Sequence, residues 1–301
     1  STDPDWEPVM RRVAAIITDQ GGRTAHAAIV SREFGLPCIV GSANATQTLK
    51  DEAQITVSCA EGAEGHAYAG DIAFDIERID AATVPKTRTH VMLTIGDPGK
   101  AMALSVIPNS GVGLARTEFI VTHHIGVHPM ALARYPQLSD AKAINAISAL
   151  LGEEAPREFF IRRFAEGVGS IAAAFYPKPV IVRTSDFKTN EYARLLGGAE
   201  FEPAEENPML GFRGASRYYD ERYKAGFRLE CLALQRARED MGLINIKPMI
   251  PFCRTLEEGR RVLAELARHG LERGRNGLEV YVMCEIPNNV ILAEEFSQLF
   301  D

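Results

Sequence analysis

The stretch DQGGRTAHAAIVSREFGLPCIVG, Asp19–Gly41, sets two glycines, a threonine and a histidine immediately ahead of a short amphipathic segment. Upstream, AAIIT (Ala14–Thr18) reads as a strand, and downstream PCIVG reads as another. Between them Gly21 and Gly22 suit a tight turn, Thr24 suits a helix cap, and His26 falls in the first helical turn. A helix start presents free backbone N–H groups and the positive end of the dipole, which favour an anion. From these residues His26 is either a polar surface residue or a phosphoryl carrier whose charge the helix amides meet.

At 301 residues the chain has room for about two domains. Hydrophobic residues make up 46% and charged residues 24%, the balance of a soluble globular protein. A net charge of −7 offers no basic footprint, which argues against nucleic acid or an anionic membrane as partner. Neither a membrane-length apolar run nor a signal-peptide pattern is present. The five cysteines (Cys38, Cys59, Cys231, Cys253 and Cys284) are odd in number, widely spread and without a CxxC pair. They read as reduced thiols of a cytoplasmic protein rather than as a disulfide framework or a zinc site.

The pattern divides the chain into residues 1–75, a linker over 76–90 rich in Thr, Pro and charge, and residues 91–301. In the first part, QITVSCAEG and GHAYAG add two short strand-like runs. In the last part six apolar runs alternate with amphipathic segments: VMLTIG from Val91, GVGLAR from Gly111, PVIVRTSD from Pro179, NPMLGFR from Asn207, INIKPMIP from Ile244 and LEVYVMCEIP from Leu278. The intervening helices are expected over Pro156–Phe175, Ser216–Met241 and Thr255–His269. Strand–helix alternation predicts an α/β fold with parallel strands, either an open sheet or part of an eight-stranded barrel.

The charges at the run ends favour the barrel. GVGLAR ends in Arg116, PVIVR in Arg183 with Asp186 three residues on, NPMLGFR in Arg213 and EVYVMCE in Glu285. Singly, each fits a solvated loop charge or a structural ion pair. Together, charges at the C-terminal ends of successive parallel strands meet on one rim, where barrel enzymes keep their active sites. Three guanidiniums suit phosphate and carboxylate, and Glu285 offers a hard oxygen for Mg2+. A small acid carrying both groups, bound with a divalent metal, is the substrate class expected.

The string Gly21-Gly22-Arg23-Thr24-Ala25-His26-Ala27-Ala28, followed by Ser31-Arg32-Glu33, closely resembles the phosphohistidine loop of the PEP-utilising enzymes. GVGLARTEF, GVHPMAL, VRTSDFKTNEY, EENPMLGFRGASRYY, FRLECLALQRARE and VMCEIPNN resemble the barrel domain of the same family, so the likeness runs over nearly the whole chain. It implies a small swivelling phosphohistidine β/α domain followed by an incomplete (β/α)8 TIM-like barrel. The implied phosphotransferase makes phosphoenolpyruvate from pyruvate, ATP and water through a phosphohistidine. Pyruvate phosphate dikinase chemistry and a non-catalytic phosphocarrier or regulatory module are the alternatives.

By the same resemblance His26 is the phosphoacceptor, while Arg116, Arg183, Asp186 and Arg213 handle the substrate and Glu285 holds Mg2+. Thr24 matches a threonine that a regulatory kinase phosphorylates, besides its capping role. The resemblance also implies a homodimer at full length, and ATP handled by a nucleotide-binding domain absent here. An Asn-Asp pair and an exchanging cysteine are expected on strands after Asp301, making this chain incomplete as an enzyme. Cys253 and Cys284, which match neither, are expected in the core.

Overall fold

The computed structural model describes residues 7–10, 12–23, 25–78, 80, 83–85 and 87–301, apart from the side chains of Glu7, Pro8, His26 and Glu33. The chain forms two compact units, Ser1–Ile79 and Asp80–Asp301, whose boundary falls inside residues 76–90.

In the first unit the order is α1 (Glu7–Met10), β1 (Ile16–Thr18), α2 (His26–Phe34), β2 (Cys38–Val40), α3 (Ala45–Thr48), β3 (Ile55–Ser58) and β4 (His66–Ala69). Strands β1 and β2 pair in parallel, with Ile16 opposite Cys38 and Thr18 opposite Val40, while β3 and β4 pair antiparallel. The crossover that parallel pairing demands is α2. Its approach turn depends on Gly21, whose φ of +117° is one that L side chains rarely adopt; Gly22 lies in open space. The N-cap position is held by Ala25, without a side-chain cap bond. Thr24 lies outside the described residues. Asp19 ties the turn to α3, accepting from the Thr46 N–H at 3.0 Å and from the Thr46 hydroxyl.

The second unit begins with β5 (Leu93–Ile95), α4 (Ala101–Ser105) and β6 (Val112–Arg116). A π-helical turn (Ile120–Ile125) leads to α5 (Pro129–Arg134), α6 (Ala141–Leu151), α7 (Pro156–Phe175) and β7 (Val180–Arg183). Then come α8 (Thr189–Tyr192), α9 (Ala215–Tyr218), α10 (Lys224–Glu239), β8 (Ile246–Ile250), α11 (Leu256–Arg268), β9 (Tyr281–Val282), α12 (Pro287–Ile291) and α13 (Ala293–Leu299). Five strands form one sheet in the sequential order β5-β6-β7-β8-β9, every pair parallel. All their C-terminal ends therefore lie along one edge.

Four expectations need correction. NPMLGFR is not a strand: residues 207–213 run through turns, so five of the six runs enter the sheet. Side chains take up its backbone groups in place of a ladder. The Arg254 guanidinium donates to the carbonyls of Gly211 (2.7 Å) and Leu210 (3.3 Å), and Glu205 accepts the Phe212 N–H at 2.9 Å. The helix expected over Ser216–Met241 is two helices, α9 and α10, because the Asp220 carbonyl closes a turn with the N–H groups of Tyr223 and Lys224. Strand β9 stops at Val282, leaving Glu285 in the loop before α12. Cys284 is exposed in that loop, whereas Cys253 is buried.

The sheet and the two long helices share one core. Helix α7 follows Pro at its first position and buries Phe160, Phe164, Val168, Ile171 and Phe175, a 3.6-residue stripe. Helix α10 buries Phe227, Leu234 and Ala237. No helix among the described residues is long and apolar enough to cross a membrane. Phe164 is 0% exposed, and Phe164→Ala is expected to destabilise the second unit by about 3–5 kcal/mol through lost burial and a residual cavity. Urea unfolding followed by circular dichroism measures this; a loss below about 1 kcal/mol would show a loosely packed centre.

Candidate active site

Parallel pairing brings the first two charges together: Arg116, at the end of β6, is the register partner of Arg183, at the end of β7. Residues in register point their side chains to the same face. The Arg116 side chain is exposed and makes no hydrogen bond or ion pair among the described residues. Arg183 is committed. Its Nη2 donates to Glu118 Oε1 at 2.9 Å, and its Nη1 lies 3.3 Å from Asp186 Oδ2.

Asp186, three residues beyond β7, joins this strand end to the loop carrying Arg213. Arg213 donates to both carboxylate oxygens, Nε to Oδ1 and Nη2 to Oδ2, each at 2.8 Å. The Asp186 carboxylate, and Glu285 beside it, hold the Arg213 guanidinium still more firmly protonated than usual. The fork of Arg213 is thus filled by a carboxylate of the same chain, with Nη1 reaching the Met209 carbonyl at 3.3 Å. Of the three arginines singled out in the sequence, Arg116 alone has an uncommitted guanidinium among the described residues.

Glu285 joins the group through Phe252. Its Oε1 accepts the Phe252 N–H at 2.7 Å, and the Phe252 ring carries the Arg213 guanidinium 4.6 Å from its centroid. Phe252 has a φ of +50°, a strained conformation for a bulky residue. Gly214 makes room for it. With φ +60°, a Cβ on Gly214 would stand 2.5 Å from Phe252 Cβ and 2.6 Å from the Pro251 carbonyl oxygen. His26 opens α2 in the first unit; its side chain, like Thr24, lies outside what the structure describes.

Three positioning groups escaped the sequence reading. Glu118 accepts from Arg183 and from the Asp186 N–H (2.8 Å) with one oxygen, while its Oε2 is buried without a partner among the described residues. Its position two residues after Arg116, just past the end of β6, was the available signal. Arg254 holds the Arg213 loop by its carbonyls and donates to Ser216 Oγ at 2.9 Å. Glu205 closes the same loop from within, accepting from Thr189 Oγ1 and the Phe212 N–H, each at 2.9 Å. Arg254 has no sequence signal, since it acts across about forty residues, and Glu205 acts within an irregular loop that no periodicity marks.

A metal must be satisfied by few protein ligands. No group of three or more His, Cys, Asp or Glu side chains among the described residues is arranged to hold one. Glu285 is exposed and has only Oε1 engaged. It fits Mg2+, which commonly takes one or two carboxylates and completes its shell with water and substrate oxygens.

The Asp186 side chain is 1% exposed, against 13% and 11% for Arg183 and Arg213. Asp186→Ala leaves two largely buried guanidiniums without their shared anion and is expected to cost about 3–5 kcal/mol of stability. Glu285→Ala, at an exposed loop position, is expected to cost less than about 1 kcal/mol. Denaturant titration of the two variants tests the ranking, and the reverse order would dismiss Asp186 as the centre of the cluster.

Comparison with known proteins covers both units. Residues 73–301 match the model of the PEP-utilising enzyme, PEP-binding domain, and residues 1–62 that of the PEP-utilising enzyme, mobile domain. The chain is 54% identical over 303 residues to phosphoenolpyruvate synthase of Synechocystis sp. and 56% over 302 residues to that of Helicobacter pylori. To the phosphoenolpyruvate synthase of Escherichia coli K12 it is 51% identical over 305 residues. All of this chain aligns in each case, and it spans 37% of the first two relatives and 38% of the third. The chain therefore belongs to the PEP-utilising enzyme family.

Proposed function

We propose that this chain carries the phosphohistidine and the pyruvate site of a phosphotransferase that makes phosphoenolpyruvate from pyruvate, ATP and water, with AMP and phosphate as the other products. The observation that carries this reading is the rim: Arg116 and Arg183 in register at the sheet edge, with Asp186, Arg213 and Glu285 drawn in beside them. Such a set suits a small dianionic substrate, and the similar synthases align over the whole chain.

In this reading ATP is cleaved elsewhere in the protein, one phosphoryl group passing to a ring nitrogen of His26 and the other to water as phosphate, with AMP leaving. The free first-turn amides of α2 would offset the charge that develops on His26. Transfer breaks the N–P bond and forms an O–P bond to the enolate oxygen of pyruvate, whose C3 proton has passed to a base of the intact protein, leaving His26 ready for another cycle. Phosphoryl transfer asks mainly for positioning and charge stabilisation. The uncommitted guanidinium of Arg116 takes the carboxylate or the phosphoryl oxygens in a bidentate grip. Arg183 is held in place by Glu118 and Asp186, and Asp186 orients both its arginines. Bound at Glu285, Mg2+ would offset the negative charge that builds on the pyruvate oxygens.

The same reading takes the five sequential parallel strands as an arc of a (β/α)8 barrel, and the first unit as the swivelling carrier. It also makes Thr24 the target of a regulatory kinase, and the intact protein a cytoplasmic homodimer.

Two variants of the intact protein test this. His26→Ala is expected to abolish acid-labile labelling from ATP; retained label would move the phosphoacceptor elsewhere. Arg116→Lys keeps the charge but loses the fork, and turnover is expected to fall about 30- to 1,000-fold. Near-wild-type turnover would rule out Arg116 as a grip on the substrate.

A further inference from the structure

Directly behind the rim, Ser185 stands between Thr184 and Asp186 with all of its polar groups held by buried side chains. Its N–H donates to Glu230 Oε2 at 3.0 Å, and its hydroxyl donates to Glu230 Oε1. The hydroxyl also lies 2.7 Å from the Tyr192 hydroxyl, and the Ser185 carbonyl accepts from the Tyr218 hydroxyl at 2.9 Å. Thr184 Oγ1 donates to the same Tyr218 oxygen at 2.9 Å. Tyr223 closes the network, with its hydroxyl 2.6 Å from that of Tyr192 and 3.3 Å from Glu230. Ser185, Glu230, Tyr192 and Tyr218 are each 0% exposed.

Glu230, on α10, has no ion pair among the described residues. The groups facing it are Ser185, the hydroxyls of Tyr192, Tyr218 and Tyr223, and the negative charge of Glu118; the nearby cation Arg217 acts on Tyr192 and Tyr223. Burial pushes the Glu230 carboxyl up to about 7, against the donors that lower it. A carboxyl raised in the folded state binds its proton more tightly folded than unfolded. Its contribution to stability therefore worsens as pH rises from the unfolded value through about 7, and is least favourable above that. A glutamine of the same shape would fill the space without this penalty. The carboxyl thus carries an ionisation penalty at neutral pH while holding Ser185, the residue before Asp186, by backbone N–H and hydroxyl together.

We infer that Glu230 is a positioning residue: by clamping Ser185 it sets the backbone from Arg183 to Asp186, and with it the aim of both groups at the anionic substrate. This rests on the phosphoenolpyruvate reading above. Because Glu230 touches neither arginine nor Asp186, its effect passes through Ser185, and the two act as one unit.

The test compares Glu230→Gln, Ser185→Ala and the double variant with the wild type, all as intact protein. Phosphoenolpyruvate binding with Mg2+ is measured by calorimetry, and the melting temperature at about pH 8, where the Glu230 penalty is greatest. Each single change is expected to weaken binding about tenfold or more, as loss of aim does in a positioned site, with the double no worse than the weaker single. Glu230→Gln is expected to melt no lower than the wild type, which a merely structural carboxyl would not allow. Binding within about twofold of wild type in either single, or losses that multiply in the double, overturns the inference. So does a Glu230→Gln variant that binds weakly and also melts lower. Should Glu230→Gln fail to fold, Ser185→Ala decides: tenfold weaker binding at an unchanged melting temperature supports the clamp, and unchanged binding overturns it. Wild-type protein that binds no phosphoenolpyruvate refutes the functional reading itself.

Discussion

The Asp186 carboxylate, with its side chain 1% exposed, accepts two hydrogen bonds of 2.8 Å from Arg213 and lies 3.3 Å from Arg183. An ionised carboxylate this far from water is tolerable only with charge and hydrogen-bond partners close by. The two guanidiniums come from different places in the chain, one from the end of β7 and one from the loop before α9. Their demand for the same anion draws that loop across the edge of the sheet. Glu118 extends the alternation by a further charge, so Glu118, Arg183, Asp186 and Arg213 follow one another with opposite signs. Arg116, in register with Arg183, is left with its guanidinium facing solvent.

The loop before α9 is fixed at more than that one point. Glu202 accepts from His128 Nε2 at 2.9 Å and from the Arg217 guanidinium. Arg217 is 1% exposed, and its guanidinium lies over the rings of Tyr192, Phe212 and Tyr223 at 4.3–4.6 Å. Cation–π contact and a carboxylate thus replace water around a charge that burial alone would forbid. His128 is held neutral by burial, which lowers its pKa. That agrees with its geometry, since Nδ1 must keep a lone pair to accept the Met130 N–H at 3.1 Å and cap α5. Residues 200–214, without regular structure, gain their shape from buried charges. An irregular segment needs such partners because its backbone groups lack a ladder.

Local strain gathers where these elements meet. Phe252 holds a left-handed φ of +50°, its N–H committed to Glu285 and its ring carrying both Arg213 and Arg254 at 4.6 and 4.7 Å. The surrounding contacts over-determine a conformation that Phe would not choose. Strain of this kind lies at the C-terminal edge of the sheet, beside the half-engaged carboxylate of Glu285.

Much of this was legible in the amino-acid sequence, for identifiable reasons. The strands around Ile16–Thr18, Cys38–Val40, Val112–Arg116, Val180–Arg183 and Ile246–Ile250 follow from short apolar runs. Helix α7 follows from a twenty-residue apolar stripe behind a proline. The convergence of Arg116 and Arg183 was readable too, because parallel strands send their last residues to one edge. The misread elements are those whose backbone is satisfied at a distance. NPMLGFR has a strand's composition, but its backbone groups are taken by Arg254, more than forty residues on, and by Glu205 just ahead of it. The sequence named the charged residues; the tertiary structure alone decided which were paired with one another and which was left facing solvent among the described residues. Ion pairing depends on separations of a few ångströms between groups tens of residues apart. No local pattern records such distances, so the engagement of Arg213 by Asp186, and the solvent-facing guanidinium of Arg116, emerge only when the chain is folded.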